Sequence, residues 1–282
     1  MALPDFLCIG AQKSGTTWLY HQLRKHPEIW MPKIKELHYF DRTNVKRNSA
    51  YLFNKNLTGK FARGVFMMLL KPKNTLWMTK YLFYERSDQN YKKLFNPENG
   101  QVSGEITPAY SRLPIKDVER IANLLPDCKI IYLLRNPVDR IWSAINMFKR
   151  RHDKKQTFSF EEIVELKGNQ LLLNSHYLQN LANWEHFFPA DQIFIGFFDE
   201  LQTEPTKFLN KIIHFLNVDD LLIIPEEELK RPMNSGSHGK IPKEIELKYT
   251  QLLFNEIAGI HEKFNNDYTS QWLERAKNVL KN

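Results

Sequence analysis

Cysteine is scarce in this sequence: Cys8 and Cys128 are the only two among 282 residues, and each lies in an apolar stretch typical of a strand. So few cysteines exclude a disulfide-stabilised framework and favour a reducing compartment with buried thiols. Neither residue has sequence neighbours that would activate a thiolate, and no spacing typical of a zinc site is present. We therefore expect neither a catalytic thiol nor a metal site.

Long apolar runs are also missing. No stretch is long enough to cross a membrane, and Met1–Asp5 lead directly into the first strand without the features of a signal peptide. We therefore expect a soluble, cytoplasmic protein without stable membrane insertion. The chain does have 42% hydrophobic and 13% aromatic residues, enough for a core without cross-links. A single domain over 1–282 is the expectation.

Basic residues outnumber acidic ones, forty to thirty-two, and give a net charge of +8. This excess suits a polyanionic ligand, but it is spread along the chain. Aromatic residues are not interleaved with basic ones as in a nucleic-acid-binding module, so no nucleic acid partner is expected, although a basic nucleic-acid-binding protein stays open as an alternative. The basic segment Lys149–Lys155 is either a polyanion-binding surface or a solvated helix end.

Strands and helices alternate along the chain, which predicts an α/β fold with a central, mainly parallel sheet flanked by helices. After the strand that begins at Phe6, the expected strands are Gln101–Glu105, Lys129–Leu134 and Gln192–Phe198. The expected helices are Thr16–Lys25, Ile115–Leu125, Pro137–Phe148, Leu171–Phe188 and Pro205–Leu216.

The segment Phe6–Tyr20 carries the strongest local signal. An apolar strand leads into a Gly/Ser/Thr turn, and a helix follows directly. Such a junction binds phosphate, because backbone N–H groups and the positive end of the helix dipole face the ligand and Lys13 adds a movable cation. The alternative is an ordinary turn of an α/β protein.

The nearest general motif is the P-loop, GxxxxGK[ST], whose glycine spacing Gly10 and Gly15 match. Thr16, however, stands where the P-loop has its lysine, and the lysine of this loop is Lys13. The loop is therefore P-loop-like. A nucleotide-dependent phosphotransferase such as a kinase is disfavoured but stays open as an alternative.

A second segment is expected beside this loop, because ligands collect at the carboxyl ends of parallel strands. Arg135 follows the strand Lys129–Leu134 and can make paired hydrogen bonds to a phosphate, and Ser143, two helical turns further on, can add a hydroxyl. In the alternative, Arg135 pairs with Asp139 at the helix start.

These two segments together resemble those of sulfotransferases that use 3′-phosphoadenosine 5′-phosphosulfate (PAPS). Gln12–Thr17 is similar to the family's 5′-phosphosulfate loop, and Arg135–Ser143 is similar to its 3′-phosphate segment. The resemblance implies PAPS as donor and 3′-phosphoadenosine 5′-phosphate (PAP) as product, with Arg135 and Ser143 on the 3′-phosphate. On the donor's 5′ side it implies the Lys13 side chain and the backbone of Ser14, Gly15, Thr16, Thr17 and Trp18.

A third segment, Pro32–Asp41, resembles the KExHFF segment of heparan sulfate 3-O-sulfotransferases and their bacterial relatives. The glutamate of that segment is the family's catalytic base, which implies this role for Glu36. His38 and Asp41 are its implied polar partners, with His38 orienting the base and both lying near the acceptor.

Two later segments complete the resemblance. Gly104–Tyr110 is similar to the family's EKTPAY segment, which brings Thr107 to the acceptor side. A late loop is expected to close over the donor and contributes Ser237, His238, Gly239 and Lys240.

These residues also suit the chemistry. Sulfuryl transfer to a hydroxyl needs an in-line approach, removal of the hydroxyl proton and stabilisation of charge on the leaving phosphate. Glu36 can take the proton, which calls for a pKa raised toward neutrality by partial burial, although Lys33 and Lys35 would oppose that rise if they pointed inward. Lys13 can neutralise the phosphate. No metal is required, because a sulfuryl group carries less charge than a phosphoryl group.

The acceptor is harder to predict. Ile106 stands where the heparan enzymes have the lysine of EKTPAY, which argues against a glycosaminoglycan. The stretch 42–100 contains Met and aromatic residues such as Met67, Met68 and Trp77, and it is either a lid over an apolar acceptor or additional helical core. We therefore expect a small or lipid- or polyketide-like alcohol, or a saccharide.

Overall fold

The structure is a computed structural model that describes residues 2–42, 72–152, 158–219, 224–230 and 239–281. Its strands are β1 (Phe6–Gly10), β2 (Ile29–Trp30), β3 (Val102–Ile106), β4 (Lys129–Leu134) and β5 (Ile193–Phe197). Its first six α-helices are α1 (Thr16–Leu23), α2 (Pro72–Phe83), α3 (Asp88–Lys92), α4 (Ile115–Leu124), α5 (Pro137–His152) and α6 (Phe160–Leu173). The next six are α7 (Tyr177–Glu185), α8 (Phe198–Thr203), α9 (Pro205–Phe215), α10 (Glu226–Leu229), α11 (Lys243–Phe264) and α12 (Asp267–Lys281).

The five strands form one parallel sheet in the order β2-β3-β1-β4-β5. β1 lies at the centre, where Phe6 is in register with Gly104 on β3 and with Lys129 on β4. The expected α/β fold with a parallel sheet is therefore confirmed. Because the strands are parallel, their carboxyl ends share one edge of the sheet.

Each face of the sheet packs against helices, because side chains alternate along each strand. On β4, Ile130, Tyr132 and Leu134 belong to a core shared with α5, α7 and α11. Ile131 and Leu133 point to the other face and pack with α1 and α9. Both faces are covered, which explains the continuous apolar runs of β1 and β4.

The predicted helix Leu171–Phe188 is wrong, since the structure divides this stretch between α6 and α7. Ser175 N donates to Leu172 O (2.7 Å) in a tight turn, and its side chain accepts a hydrogen bond from Arg140 Nε (2.7 Å). α6 begins earlier because Ser159 and Glu162 form a capping box. The S-x-x-E spacing of this box is visible in the sequence.

Other boundaries differ by a few residues, and some elements were not predicted. β4 matches its predicted bounds, whereas α5 extends to His152. β2 is too short for a periodic signal, and pairing of Ile29 with Val102 places it at the edge. α11 and α12 pack against each other at the end of the described chain.

The stretch 42–100 is only partly described. Within it, Trp77 and Met78 are buried in the main core, and Trp77 Nε1 donates to Leu94 O (2.8 Å). This part is helical core, while Met67 and Met68 lie outside the described residues. None of the helices in the described ranges is long and apolar enough to pass through a bilayer.

Candidate active site

Loops from three neighbouring strands meet at the carboxyl edge of the sheet. The loop Ala11–Gly15 follows β1, Arg135 follows β4, and Phe198 begins α8 directly after β5. Ala11 N donates to Leu133 O (2.7 Å), which fixes the first loop to the end of β4. The two segments predicted to bind phosphate are therefore adjacent.

The loop after β1 has a conformation suited to an anion. Lys13 and Gly15 have left-handed backbones, with φ of 76° and 88°. A Cβ at Gly15 would also collide with the Leu201 side chain, so glycine is required there. No side chain caps α1 at Gly15, so the N–H groups of its first turn can face a ligand.

The other residues of this segment present backbone rather than side chains. Ser14, Thr16 and Trp18 are buried, and Thr17 is half-buried. Trp18 Nε1 donates to a backbone carbonyl of α10 (2.9 Å), and the Ser14 N–H donates across the turn (3.2 Å). The N–H groups after Ser14 are therefore those best placed for a ligand.

Arg135 is held against the loop and not by a carboxylate. Its Nη1 donates to Lys13 O (3.1 Å), and its guanidinium lies 4.5 Å from the centre of the Phe198 ring. Asp139 instead binds Arg275 of α12, with Nη1 at 2.9 and 3.0 Å from its two oxygens. The alternative in which Arg135 pairs with Asp139 is therefore not what the structure shows.

Positive charges converge on Lys13. Burial lowers its pKa to about 8, and the charges of Arg150, Arg135, Arg151 and Lys35 act in the same direction. Across the part of the chain that the structure describes, neither Lys13 nor Arg135 lies within ion-pair distance of a carboxylate. Lys13 and Arg135, beside an open helix N-terminus, are therefore suited to a multiply charged anion.

The remaining residues predicted to bind the donor differ in their burial, and some lie outside the described ranges. Ser143 is buried on α5. Trp142 Nε1 donates to Gly239 O (3.0 Å), which brings the late segment to the same helix, while Lys240 is exposed. Two of the predicted residues lie outside the described ranges, Ser237 and His238.

The predicted base lies in a polar group formed by Glu36, His38 and Asp41. Lys35 Nζ donates to Glu36 Oε1 (2.7 Å), and His38 Nε2 lies 3.6 Å from Glu36 Oε2. Asp41 Oδ2 accepts a hydrogen bond from His38 Nδ1 (2.8 Å). Asp41 thus orients His38, and His38 orients Glu36. In the described part of the chain no three His, Cys, Asp or Glu side chains are placed to hold a metal ion.

In this state the pKa of Glu36 is lowered, not raised as a general base would need, and of the two possibilities left open by the sequence it is the one in which Lys35 points inward. Burial acts to raise the pKa, but the interaction with His38 and the charge and hydrogen bond of Lys35 lower it to about 2. Lys35 therefore does point at the carboxylate. Before Glu36 can accept a proton, this bond to Lys35 must be given up.

Glu36 is attached to the end of β3. Its N–H donates to Ile106 O (3.0 Å), and the Ile106 side chain is buried in the apolar core. Thr107 is fully buried and donates its hydroxyl to Glu105 Oε2 (2.8 Å), so it supports the site from beneath rather than facing an acceptor.

Several cations were not identified as site residues from the sequence. Lys35 was treated only as a charge opposing the base, and Arg150 and Arg151 only as part of a basic segment. The spacing of Arg150 and Arg151 was informative, because they follow Ser143 by seven and eight residues and so lie on the same face of the helix.

Comparison with known proteins identifies the family. The profile of the family described as "Sulfotransferase domain" matches residues 3–238. The chain therefore belongs to the sulfotransferase family, and the resemblance seen in the sequence is confirmed at that level. The finer likeness to 3-O-sulfotransferases stays a prediction.

Two relatives and two solved structures illustrate the similarity. The membrane-associated sulfotransferase kil1 of Dictyostelium discoideum is 24% identical, over 94% of this chain and 65% of its own length. Human bifunctional heparan sulfate N-deacetylase/N-sulfotransferase 3 is 28% identical, over 84% of this chain and 24% of its own length. This chain therefore spans less than two thirds of either relative.

Among solved structures, a sulfotransferase from Alicyclobacillus acidocaldarius superposes with a TM-score of 0.69 at 23% identity, covering 96% of this chain and 99% of that one. The sulfotransferase domain from the curacin biosynthetic pathway gives a TM-score of 0.56 at 22% identity, with coverages of 84% and 82%. At these identities the likeness establishes the shared fold.

The low pKa of Glu36 predicts a pH-dependent contribution to stability. Because the folded pKa lies below the unfolded value of 4.5, ionised Glu36 stabilises the fold above pH 4.5, and this contribution is lost as the pH falls toward 2. The difference in unfolding free energy between wild type and Glu36→Gln should therefore shrink between pH 6 and pH 3. Urea unfolding at both pH values measures it, and a constant difference would contradict the Lys35 and His38 contacts.

Proposed function

We propose that this chain transfers the sulfuryl group of PAPS to an acceptor hydroxyl and releases PAP. The observation that carries the proposal is the meeting of an anion-binding loop and a Glu-His-Asp group at one edge of the sheet. Lys13 lies on the loop after β1, and Glu36 is bonded to the end of the neighbouring β3. This arrangement supports sulfuryl transfer better than the kinase or nucleic-acid-binding alternatives.

The donor is divided between two groups of residues. Lys13 and the first-turn N–H groups of α1 bind its 5′-phosphosulfate, and Arg135 with Ser143 binds its 3′-phosphate. The stacking of Arg135 on Phe198 supports this role, because it holds the guanidinium flat and leaves its edge free to form paired hydrogen bonds. The late segment at Gly239 adds a contact beside Ser143.

The reaction is a direct displacement at sulfur. The acceptor oxygen forms the new S–O bond while the bond between sulfur and the bridging phosphate oxygen breaks. The hydroxyl proton passes to Glu36, and the electron pair leaves with PAP, whose charge Lys13 offsets.

Donor binding frees the base in this scheme. Lys35 is bonded to Glu36, and its charge also acts on Lys13, so one ammonium is coupled to both the base and the loop. An anionic donor competes with Glu36 for the Lys35 ammonium, and loss of that bond raises the pKa of Glu36.

The acceptor carries negative charge in our proposal. Arg150 and Arg151 are exposed on α5 and lie about 10–12 Å along the helix from Ser143, too far to share its phosphate. A saccharide with anionic groups suits them better than a neutral lipid-like alcohol. The name of the human relative includes heparan sulfate, an anionic polysaccharide. Ile106 is buried and supplies no cation, so the charge for such an acceptor rests on Arg150 and Arg151. A cytoplasmic location stays a prediction.

Glu36→Gln tests the base. Turnover should fall on the order of a hundredfold to ten-thousandfold, because the amide cannot accept the proton. The affinity for PAP, measured by calorimetry, should not fall, because the change leaves the donor site intact and frees Lys35 from Glu36. Turnover is followed with labelled PAPS and the best acceptor of a hydroxylated panel. Glu119→Gln, the same change at an exposed site on α4, is the control. Full turnover in Glu36→Gln would contradict the assignment.

Arg135→Ala tests the 3′-phosphate site. Loss of charge-assisted hydrogen bonds should weaken PAP binding about tenfold to a hundredfold. Adenosine 5′-monophosphate, which lacks the 3′-phosphate, should bind wild type and variant alike. Arg120→Ala, another partly buried arginine, is the control. An equal loss for both nucleotides would place Arg135 elsewhere on the donor.

The acceptor proposal is tested with the double change Arg150→Ala and Arg151→Ala. Wild type should prefer a galacturonic acid oligomer to a malto-oligosaccharide of equal length, since only the first is anionic. The double variant should lose this preference, mainly through a raised KM for the acceptor. Lys277→Ala with Lys281→Ala removes the same charge from exposed positions on α12 as a control. A preference that survives in the double variant would contradict the proposal.

A further inference from the structure

The segment that carries the base has an unfavourable backbone. Glu36 and His38 both have positive φ, 68° and 54°, although neither is glycine. Such conformations are unfavourable for residues other than glycine and persist only where the surroundings hold them. The geometry of the base therefore depends on contacts from outside the segment.

Backbone hydrogen bonds on either side of His38 hold this segment, among them one from Arg86 Nη1 to Tyr39 O (3.3 Å). Glu36 N donates to Ile106 O (3.0 Å) at one end. At the other end the Tyr110 hydroxyl accepts hydrogen bonds from the N–H groups of Tyr39 (2.8 Å) and Phe40 (3.4 Å). His38 lies between these attachments.

The Tyr110 hydroxyl is itself oriented by a buried carboxylate. It donates to Glu105 Oε1 (3.1 Å), which also accepts from Tyr91 (2.6 Å), while Oε2 accepts from Thr107 (2.8 Å). Glu105 is fully buried, and none of the described Lys, Arg or His side chains lies within ion-pair distance of it. Three hydroxyl donors therefore compensate its charge, and the Tyr110 proton is directed away from the segment.

We propose that Glu105 and Tyr110 are positioning residues for the base. Glu105 fixes the Tyr110 hydroxyl with its lone pairs toward Tyr39 and Phe40, and these two bonds hold Glu36 and His38 in their left-handed conformations. Neither residue contacts a reacting atom. The inference rests on the proposed function insofar as it assigns Glu36 as the base.

Tyr110 and Tyr91 form a matched pair for testing. Both are buried tyrosines that donate to the same oxygen of Glu105, and changing either to Phe removes one hydroxyl. Of the two, only Tyr110 also accepts hydrogen bonds from the backbone of the segment that carries the base. Tyr91 touches that segment through its ring, stacked 4.3 Å from that of Tyr39, and Phe keeps the ring.

The experiment compares Tyr110→Phe with Tyr91→Phe. Tyr110→Phe should lower kcat on the order of tenfold to a hundredfold, because a small displacement of a catalytic group is costly. The KM for PAPS and the Kd for PAP should stay within about twofold of wild type in both variants. Tyr91→Phe should keep most of kcat. An equal fall of kcat in both, or an unchanged kcat in Tyr110→Phe, overturns the inference.

Glu105→Gln provides a second test. Its amide oxygen still accepts from Tyr110, and its NH2 group can donate to the Thr107 hydroxyl. The kcat should therefore stay within about threefold of wild type. A loss as large as that of Glu36→Gln would overturn the inference, since Glu105 would then act through its charge or as a proton carrier.

Hydrogen exchange separates this inference from the proposed function. The amides of Tyr39 and Phe40 should exchange at least about tenfold faster in Tyr110→Phe than in Tyr91→Phe, with or without sulfuryl transfer. Equal exchange overturns the positioning role even if the enzyme is active. Faster exchange in a protein that transfers no sulfuryl group supports the attachment and refutes the proposed function alone.

Discussion

In a parallel sheet every strand ends at the same edge. The pairing of β1 with both β3 and β4 is therefore the constraint on which the position of this site depends. The loop with Lys13 follows the central strand, Arg135 follows one neighbour, and Glu36 is bonded to the end of the other. Residues separated by more than a hundred positions in sequence become neighbours through backbone pairing alone. The site is therefore as rigid as the sheet that supports it.

Positive charge is in excess at this edge of the sheet. Among the residues that the structure describes, Lys13 and Arg135 have no carboxylate within ion-pair distance, whereas Lys35 is paired with the proposed base. Such a site is electrostatically unfavourable until an anion enters, and the low pKa of Glu36 is part of the same imbalance. In the proposed scheme a multiply charged donor relieves the repulsion among the cations and frees the base in one step, so that binding and activation are linked.

Much of this site could be predicted because it is encoded in short contiguous segments. The turn around Lys13, the Arg135 segment and the Glu36 segment each carry their geometry locally, and β4 matched its predicted bounds. Pairings across the fold could not be predicted in this way. No local pattern indicates that Asp139 bonds Arg275, 136 positions further along the chain, and not Arg135.

The same limit applies to the buried support of the site. Glu105 and Tyr110 lie in a segment that was recognised, yet their role depends on where the chain at Tyr39 returns in space. The single predicted helix over 171–188 failed for a related reason. The contact between Ser175 and the buried Arg140 fixes a turn that the apolar pattern does not reveal.

The bond between Asp139 and Arg275 has a consequence for where this protein can be shortened. Arg275 lies on the last helix, beyond residue 238, where the match to the family ends. By binding both oxygens of Asp139, Arg275 keeps this carboxylate from pairing directly with Arg135. A chain trimmed to the family boundary would keep Lys13, Arg135 and Ser143 but lose Arg275, so Asp139 would be released to compete with the donor for Arg135. By supplying the counterion of Asp139, the last helix thus preserves the positive electrostatic potential at Arg135.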